Sequence, residues 1–203
     1  MDAYKVVRDF EGAMTEFTGA PFAVSVESCS AAIFLSCLWC KVKDIPEVMI
    51  PKFTYPSVPA SIINAGGRVI FDDLDWQDEG QYLLANTIII DSAKHLSRHM
   101  YDRETLTCLS FHYQKVLPIG RGGMILTDSR KAYEWFRVAR FDGRHEQPLP
   151  GDELVMLGWN MYMTPEQAAR GLERLQGLPD INIDKHDEYQ DLSRYKFYTE
   201  ANR

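Results

Sequence analysis

The residues best suited to chemistry form one stretch, Ser110-Phe111-His112-Tyr113-Gln114-Lys115, followed by Gly120-Arg121-Gly122-Gly123. The β-type run 105–109 leads into it, and a second run, 87–91, lies upstream and ends on Asp91. A lysine just past one buried strand and an aspartate at the tip of another make the pair that pyridoxal phosphate (PLP) requires. A lysine amine condenses with the cofactor aldehyde, and a carboxylate keeps the ring nitrogen protonated so that the ring can take up carbanion electrons. The freed amine can then carry a proton to or from the substrate α-carbon. Taken alone, Lys115 reads as a solvated surface lysine and Asp91 as a helix-capping acid. Their setting favours the chemical reading.

Other groups could complete such a site. Ser28, Cys29 and Ser30 stand at a strand-to-helix turn, where open backbone amides and the positive helix end attract a phosphate. Simple N-capping by Ser28 or Ser30 is the competing explanation. Ser110 could add a hydroxyl to the same phosphate. Tyr55, just after a strand, could stack on a pyridine face, or could be a core or interface tyrosine. Gly120, Gly122 and Gly123 allow a tight return of the chain. Cys37 and Cys40 form a CxxC, and His95 and His99 have ligand-like spacing. The two pairs lie too far apart in sequence for a finger loop, and a CxxC late in an apolar helix reads as core packing. No metal site is expected.

These groups need strands and helices to place them. Residues 3–18 carry Val6, Phe10, Ala13, Met14 and Phe17 at helical spacing, with Gly19 as a stop. A short strand at 22–25 precedes a helix opened by Ser28-Cys29-Ser30 and running through 31–40, apolar on nearly every side and so expected to be buried. Strands are expected at 48–50, 68–71, 87–91, 105–109 and 124–127, with a helix at 56–64 and another from the cap Ser129 to about Arg140. Residues 141–158 read as a long loop. Thr164-Pro165-Glu166 is a helix start with proline at the first position, and Ala168, Leu172, Leu175 and Leu178 form its buried stripe. The alternation of helices with short, continuously apolar strands predicts an α/β layer structure with a mostly parallel sheet. Ligands in such sheets bind at the carboxyl ends of the strands. The expected organisation is one α/β domain over residues 1–178 and a polar, helical tail over 179–203.

The 203 residues support one domain of ordinary globular composition, 45% hydrophobic and 25% charged. A net charge of −7 without a basic tract argues against nucleic acid or an anionic membrane as the main partner. The start of the chain shows no signal-peptide pattern, no apolar run approaches a membrane span, and the four cysteines sit in apolar segments. The expectation is a cytoplasmic protein with reduced thiols.

In order, these segments resemble the DegT/DnrJ/EryC1/StrS family of PLP-dependent sugar aminotransferases, over most of the chain from about Ala13 to Leu178. Ser28-Cys29-Ser30-Ala31-Ala32 is similar to the family's phosphate turn, usually Ser-Gly-Thr-Ala-Ala. Ile50-Pro51-Lys52-Phe53-Thr54-Tyr55 resembles the segment that bears the ring-stacking aromatic. The stretch from Ala65 to Asp75 resembles the following strand and acidic turn. Asp91-Ser92-Ala93-Lys94-His95 falls on an Asp-Ala-Ala-Gln/His segment, and residues 110–115 resemble the Ser-Phe-His-x-x-Lys motif. Gly122-Gly123 resembles the family's glycine pair. Leu157-Gly158-Trp159-Asn160-Met161-Tyr162-Met163 is similar to Leu-Gly-Tyr-Asn-Tyr-Arg-Met.

The resemblance implies a fold-type I large domain in which Lys115 forms the internal aldimine and Asp91 binds the ring nitrogen. It implies that Ser110 and the backbone at 29–30 hold the phosphate, and that Lys94 meets the cofactor's phenolic oxygen in place of Gln or His. It implies that Asn160 reaches the phosphate of a neighbouring subunit, hence a homodimer with shared sites. The departures are Cys29 for Gly, Lys94 for Gln or His, Tyr162 for Arg, little room for a strand–helix unit between Asp75 and Thr87, and a largely missing small domain after Leu178. The implied activity is amino transfer, with glutamate the expected donor, to a keto-sugar nucleotide. The alternative is a catalytically degenerate subunit that binds, completes or regulates a partner.

Overall fold

Helix α1 (Lys5–Thr18) buries Val7, Phe10, Met14 and Phe17, spaced three and four apart, and Gly19 ends it at φ 78°, in the left-handed region that suits a residue without Cβ. Val7, rather than Val6, takes the first inner position. A computed structural model describes residues 2–147, 151–183 and 188–201.

After α1 come β1 (Phe22–Val26), α2 (Cys29–Trp39), β2 (Val48–Pro51), α3 (Ser57–Asn64), β3 (Val69–Asp72) and β4 (Tyr82–Leu83). Next are β5 (Ile89–Ser92), β6 (Leu106–Ser110), β7 (Gly123–Thr127), α4 (Arg130–Ala139), α5 (Pro165–Leu175) and the single turn α6 (Lys196–Thr199). Ser28, Ser129 and Thr164 cap α2, α4 and α5 with their side chains, and Gln167 completes a capping box at α5.

The main sheet has five strands in the order β1-β7-β6-β5-β4, and β2 and β3 form a separate parallel pair. The main sheet is mixed: β5 and β6 are parallel, whereas β1–β7, β6–β7 and β4–β5 are antiparallel. The expectation of mostly parallel pairing is corrected here. A tight return from β6 inserts β7 between β1 and β6, and β4 folds back on β5. The directions still serve the site. Val26 and Ser110 both pair with Gly123, and Asp91 pairs with Cys108 and with Tyr82. The carboxyl ends of β1, β5 and β6 and the starts of β4 and β7 therefore share one edge.

Both sheet faces are covered. Ala32, Ile33 and Leu35 of α2 and Ala132 and Phe136 of α4 pack with Val24, Cys108 and Ile125 on one side. Phe10 and Met14 of α1 and Ala168 of α5 pack with Leu109, Met124 and Leu126 on the other. Two buried faces explain why these strands read as continuous apolar runs. Cys37 belongs to the first cluster. Among the described residues no group of three or more His, Cys, Asp or Glu is placed to hold a metal ion. No helix among them is long and apolar enough to cross a membrane.

The tail differs from the expected helix. Its described residues are helical only in a 3-10 turn at Leu192–Arg194 and in α6. The tail is tied to the body: Leu96 and Arg98 donate to Asn182 and Asp180, Leu192 donates to Lys52, and the Tyr198 hydroxyl donates to Pro56. Backbone pairing to the domain here outcompetes local helix formation.

Candidate active site

The shared edge opens into a cavity of about 1460 Å³, lined by Ser28, Cys29, Ser30, Tyr55, Asp91, Ser110 and Lys115 among others. Residues far apart in sequence thus meet as the chemical reading requires. Gly123 lets β7 press against the turn that opens α2. A Cβ there would lie 2.3 Å from the Ser28 carbonyl carbon and 2.5 Å from the Cys29 nitrogen. This contact seats the helix N-terminus at the cavity wall. The Ser28 hydroxyl accepts from the Ala31 amide at 3.1 Å, so it does act as a cap. Ser30 donates to the Ser57 hydroxyl at 2.6 Å and so joins the starts of α2 and α3. First-turn amides have no carbonyl one turn earlier to bond, which leaves the α2 start as an anion cradle.

Lys115 follows β6 on a loop folded back by backbone bonds from Phe111 to Gly122, Tyr113 to Gly120 and Ile119 to Phe111. Gly120, at φ 103°, makes the reversal. Asp91 closes the cavity floor and is 3% exposed. Its Oδ2 accepts from the Tyr82 hydroxyl at 3.0 Å, and its Oδ1 accepts from the Ala93 amide at 3.1 Å and faces the Cys29 Sγ at 3.9 Å. Burial pushes the Asp91 carboxyl above its ordinary range, while the Tyr82 hydroxyl, the Ala93 amide and the Lys115 charge pull it back. Burial, then the Asp91 charge, raises the Cys29 thiol far above its ordinary value, against a smaller pull from Lys115. Cys29 is therefore a neutral thiol beside the carboxylate. Lys115 lines the same cavity as both groups.

Tyr55 stands at the rim, 60% exposed, and lines the cavity. Two expected groups stand elsewhere. Lys94 is fully buried and does not line the cavity; Ala93 takes that place. The Lys94 ammonium lies 5.9 Å from the Trp76 ring and 5.8 Å from the Tyr189 ring, a cation against aromatic faces. A long stem lets the lysine turn beneath this pair instead of reaching the pocket. Asn160 is exposed and sits in an adjoining hollow with Glu27 and Arg121, donating to Asp142 at 3.0 Å.

Several cavity residues carried no signal in the sequence. Trp76 lines the wall, stacks on Tyr189 of the tail at 5.8 Å and donates to the Phe53 carbonyl at 2.9 Å. Arg121 and Glu27 pair across the mouth at 2.9 Å. Tyr82, which bonds Asp91 without lining the cavity, lies on a two-residue strand too short to show a period.

The donor set suits PLP. It offers an amine, a buried carboxylate facing the same space, an amide cradle for phosphate, and an aromatic at the rim. Comparisons with known proteins point the same way. The model of the DegT/DnrJ/EryC1/StrS aminotransferase family matches residues 1–81 and 87–195. The chain is 27% identical over 226 residues to the spore coat polysaccharide biosynthesis protein SpsC of Bacillus subtilis, covering 86% of this chain and 57% of that protein. It is 23% identical over 226 residues to the UDP-4-amino-4,6-dideoxy-N-acetyl-beta-L-altrosamine transaminase of Campylobacter jejuni, covering 91% of this chain and 60% of that one. The structure of PseC of Helicobacter pylori, an aminotransferase involved in the biosynthesis of pseudoaminic acid, superposes with a TM-score of 0.70 at 18% identity, covering 85% of this chain and 57% of PseC. The shared architecture is that of the fold-type I aminotransferases. The chain spans less than two thirds of the length of each of these proteins.

Proposed function

This chain belongs to the DegT/DnrJ/EryC1/StrS aminotransferase family, and on that premise we propose that it binds PLP in the cavity and transfers an amino group to a keto-sugar nucleotide. The observation that carries this reading is the meeting of Lys115, Asp91 and the α2 N-terminus around one cavity. Bound there, PLP would supply an aldehyde for amines and a protonated ring that accepts electrons.

The chain's own residues then have distinct tasks. The Lys115 amine serves as the nucleophile that anchors the cofactor and later holds the proton leaving the substrate α-carbon. The Asp91 carboxylate holds a proton on the ring nitrogen, and its burial keeps water from competing for that proton. The Cys29 and Ser30 amides, with Ser110, neutralise the phosphate. Tyr55 covers the ring from the rim. Asn160 lies outside this cavity on the exposed face, where it could reach a second copy's phosphate, so a homodimer with shared sites is part of the proposal. Glutamate is the expected donor.

The test is amino transfer by the purified protein loaded with PLP, supplied with glutamate and a panel of keto-sugar nucleotides. Formation of 2-oxoglutarate together with an amino-sugar nucleotide is expected. A folded protein that binds PLP yet yields neither product overturns the proposed activity and leaves a binding or assembly role.

A further inference from the structure

We propose that Tyr82 is a positioning residue for Asp91, fixing the carboxylate that faces the ring nitrogen through a Thr54–Tyr82–Asp91 hydrogen-bond chain. This inference rests on the PLP reading above and adds residues which that reading does not use. Tyr82 lies in 82–86, the only stretch between residues 1 and 195 left unmatched by the family model. The short β4 that carries it sets Tyr82 directly opposite Asp91 in the antiparallel register, so the two side chains share a face.

The bonding directions follow from proton counts. An ionised carboxylate only accepts, so the single phenolic proton of Tyr82 goes to Asp91 Oδ2, at 3.0 Å. Thr54 Oγ1, 2.6 Å from the Tyr82 oxygen, must then donate to it. Thr54, Tyr82 and Asp91 are all buried. The Tyr82 ring is itself held against Trp76, with centroids 4.8 Å apart. Oδ2 is thus gripped from β4, and Oδ1 by the Ala93 amide with the Cys29 thiol alongside. A carboxylate held at both oxygens keeps its plane and its charge. The titratable groups around it are Tyr82 from β4, Cys29 from α2, Cys108 from β6 and Lys115 from the loop after β6. Of these, Tyr82 and Cys29 are the ones within hydrogen-bonding reach of the carboxylate.

The experiment compares wild type, Tyr82→Phe and Thr54→Val in two readouts. The first is the titration midpoint of Asp91 in the protein without PLP, followed by carboxyl-carbon NMR. The second is affinity for PLP and for deaza-pyridoxal phosphate, whose ring nitrogen is replaced by carbon. Tyr82→Phe should raise the Asp91 midpoint and weaken PLP binding about tenfold, the scale of one hydrogen bond to a charged group, with little effect on the deaza analogue. Thr54→Val should move both readouts the same way by less, and it decides the matter if Tyr82→Phe does not fold. Equal weakening of both ligands, or an unchanged Asp91 midpoint, overturns the proposal. A wild type that binds neither ligand overturns the PLP reading instead, and the Asp91 midpoint then still decides the Tyr82 link.

Discussion

Arg140→Met tests how the wall beside the site is held. Arg140 is completely buried, and its Nη1 meets Glu11 Oε1 at 2.5 Å, Ser25 Oγ at 3.0 Å and the Ser25 carbonyl. Its Nη2 meets Glu146 Oε1 at 2.6 Å, while Arg8 and Arg137 each reach Glu146 Oε2 at 3.2 Å. One guanidinium therefore ties α1 and β1 to the loop that leads to Trp159 and Met161, both of which line the cavity. Methionine fills similar volume but strands the carboxylates. Glu146 keeps two arginines, whereas Glu11 keeps only the Ser25 amide and hydroxyl, each at 2.8 Å. Removing one partner of a buried pair costs about 3–5 kcal/mol, a large share of a typical total of about 5–15 kcal/mol. With a urea slope toward the upper end of about 1–3 kcal/mol per molar, the midpoint should fall by roughly 1.5 M. The assay is urea unfolding at pH 7.5 followed by far-UV circular dichroism. Adding Glu11→Gln should recover more than half of the loss, and Arg140→Lys should not substitute, because an ammonium lacks the two-sided fork. A loss below about 1 kcal/mol, well short of the buried-pair range, or no recovery with Glu11→Gln, would refute the reasoning. The pH dependence has a defined sign. Burial would raise the Glu146 carboxyl, but the Arg140 and Arg137 charges outweigh it and hold it below its ordinary value. Its contribution is present above the unfolded-state pKa and is lost as pH falls through the folded-state value. Arg140→Met should therefore flatten the acid limb of the stability profile.

Two further outcomes follow from the cavity floor and its cradle. Gly123→Ala drives a methyl into the backbone of Ser28 and Cys29, which cannot yield as a side chain would. It should cost about 1–3 kcal/mol by thermal unfolding and abolish tight binding of PLP, and binding at wild-type strength would contradict the cradle. Asp91 has a raised folded-state pKa, so its ionised form destabilises the unliganded protein at pH values above that pKa. Asp91→Asn should accordingly raise the melting temperature of the unliganded protein at neutral pH while weakening PLP binding, and a lowered melting temperature would contradict the burial argument.

Local structure was largely legible, because it follows local rules. The buried spacing of Phe10, Met14 and Phe17, the helix start at Thr164 and Pro165, and the apolar strands around Asp91 and Ser110 stand in the sequence much as they stand in the fold. The cavity membership of Lys115, Asp91 and the 28–30 turn was legible too, since each sits where a strand gives way to a loop or helix. The pairing of strands was not. Insertion of β7 between β1 and β6 depends on where the chain returns, which no periodicity records. Lys94 and Arg140 are charged residues buried in part by partners, Tyr189 and Glu11, that lie far away in sequence. Tyr82 occupies a strand of two residues, below the length at which alternation can appear. The polar tail carried no sign of the contacts it makes with Leu96, Arg98 and Lys52.

The most direct measurement is covalent. Protein incubated with PLP, reduced with borohydride and digested is mapped by mass spectrometry. The account predicts a pyridoxyl group on Lys115 that disappears in Lys115→Ala. Folded protein with no adduct at Lys115, or with the adduct on another lysine such as Lys94, would contradict it.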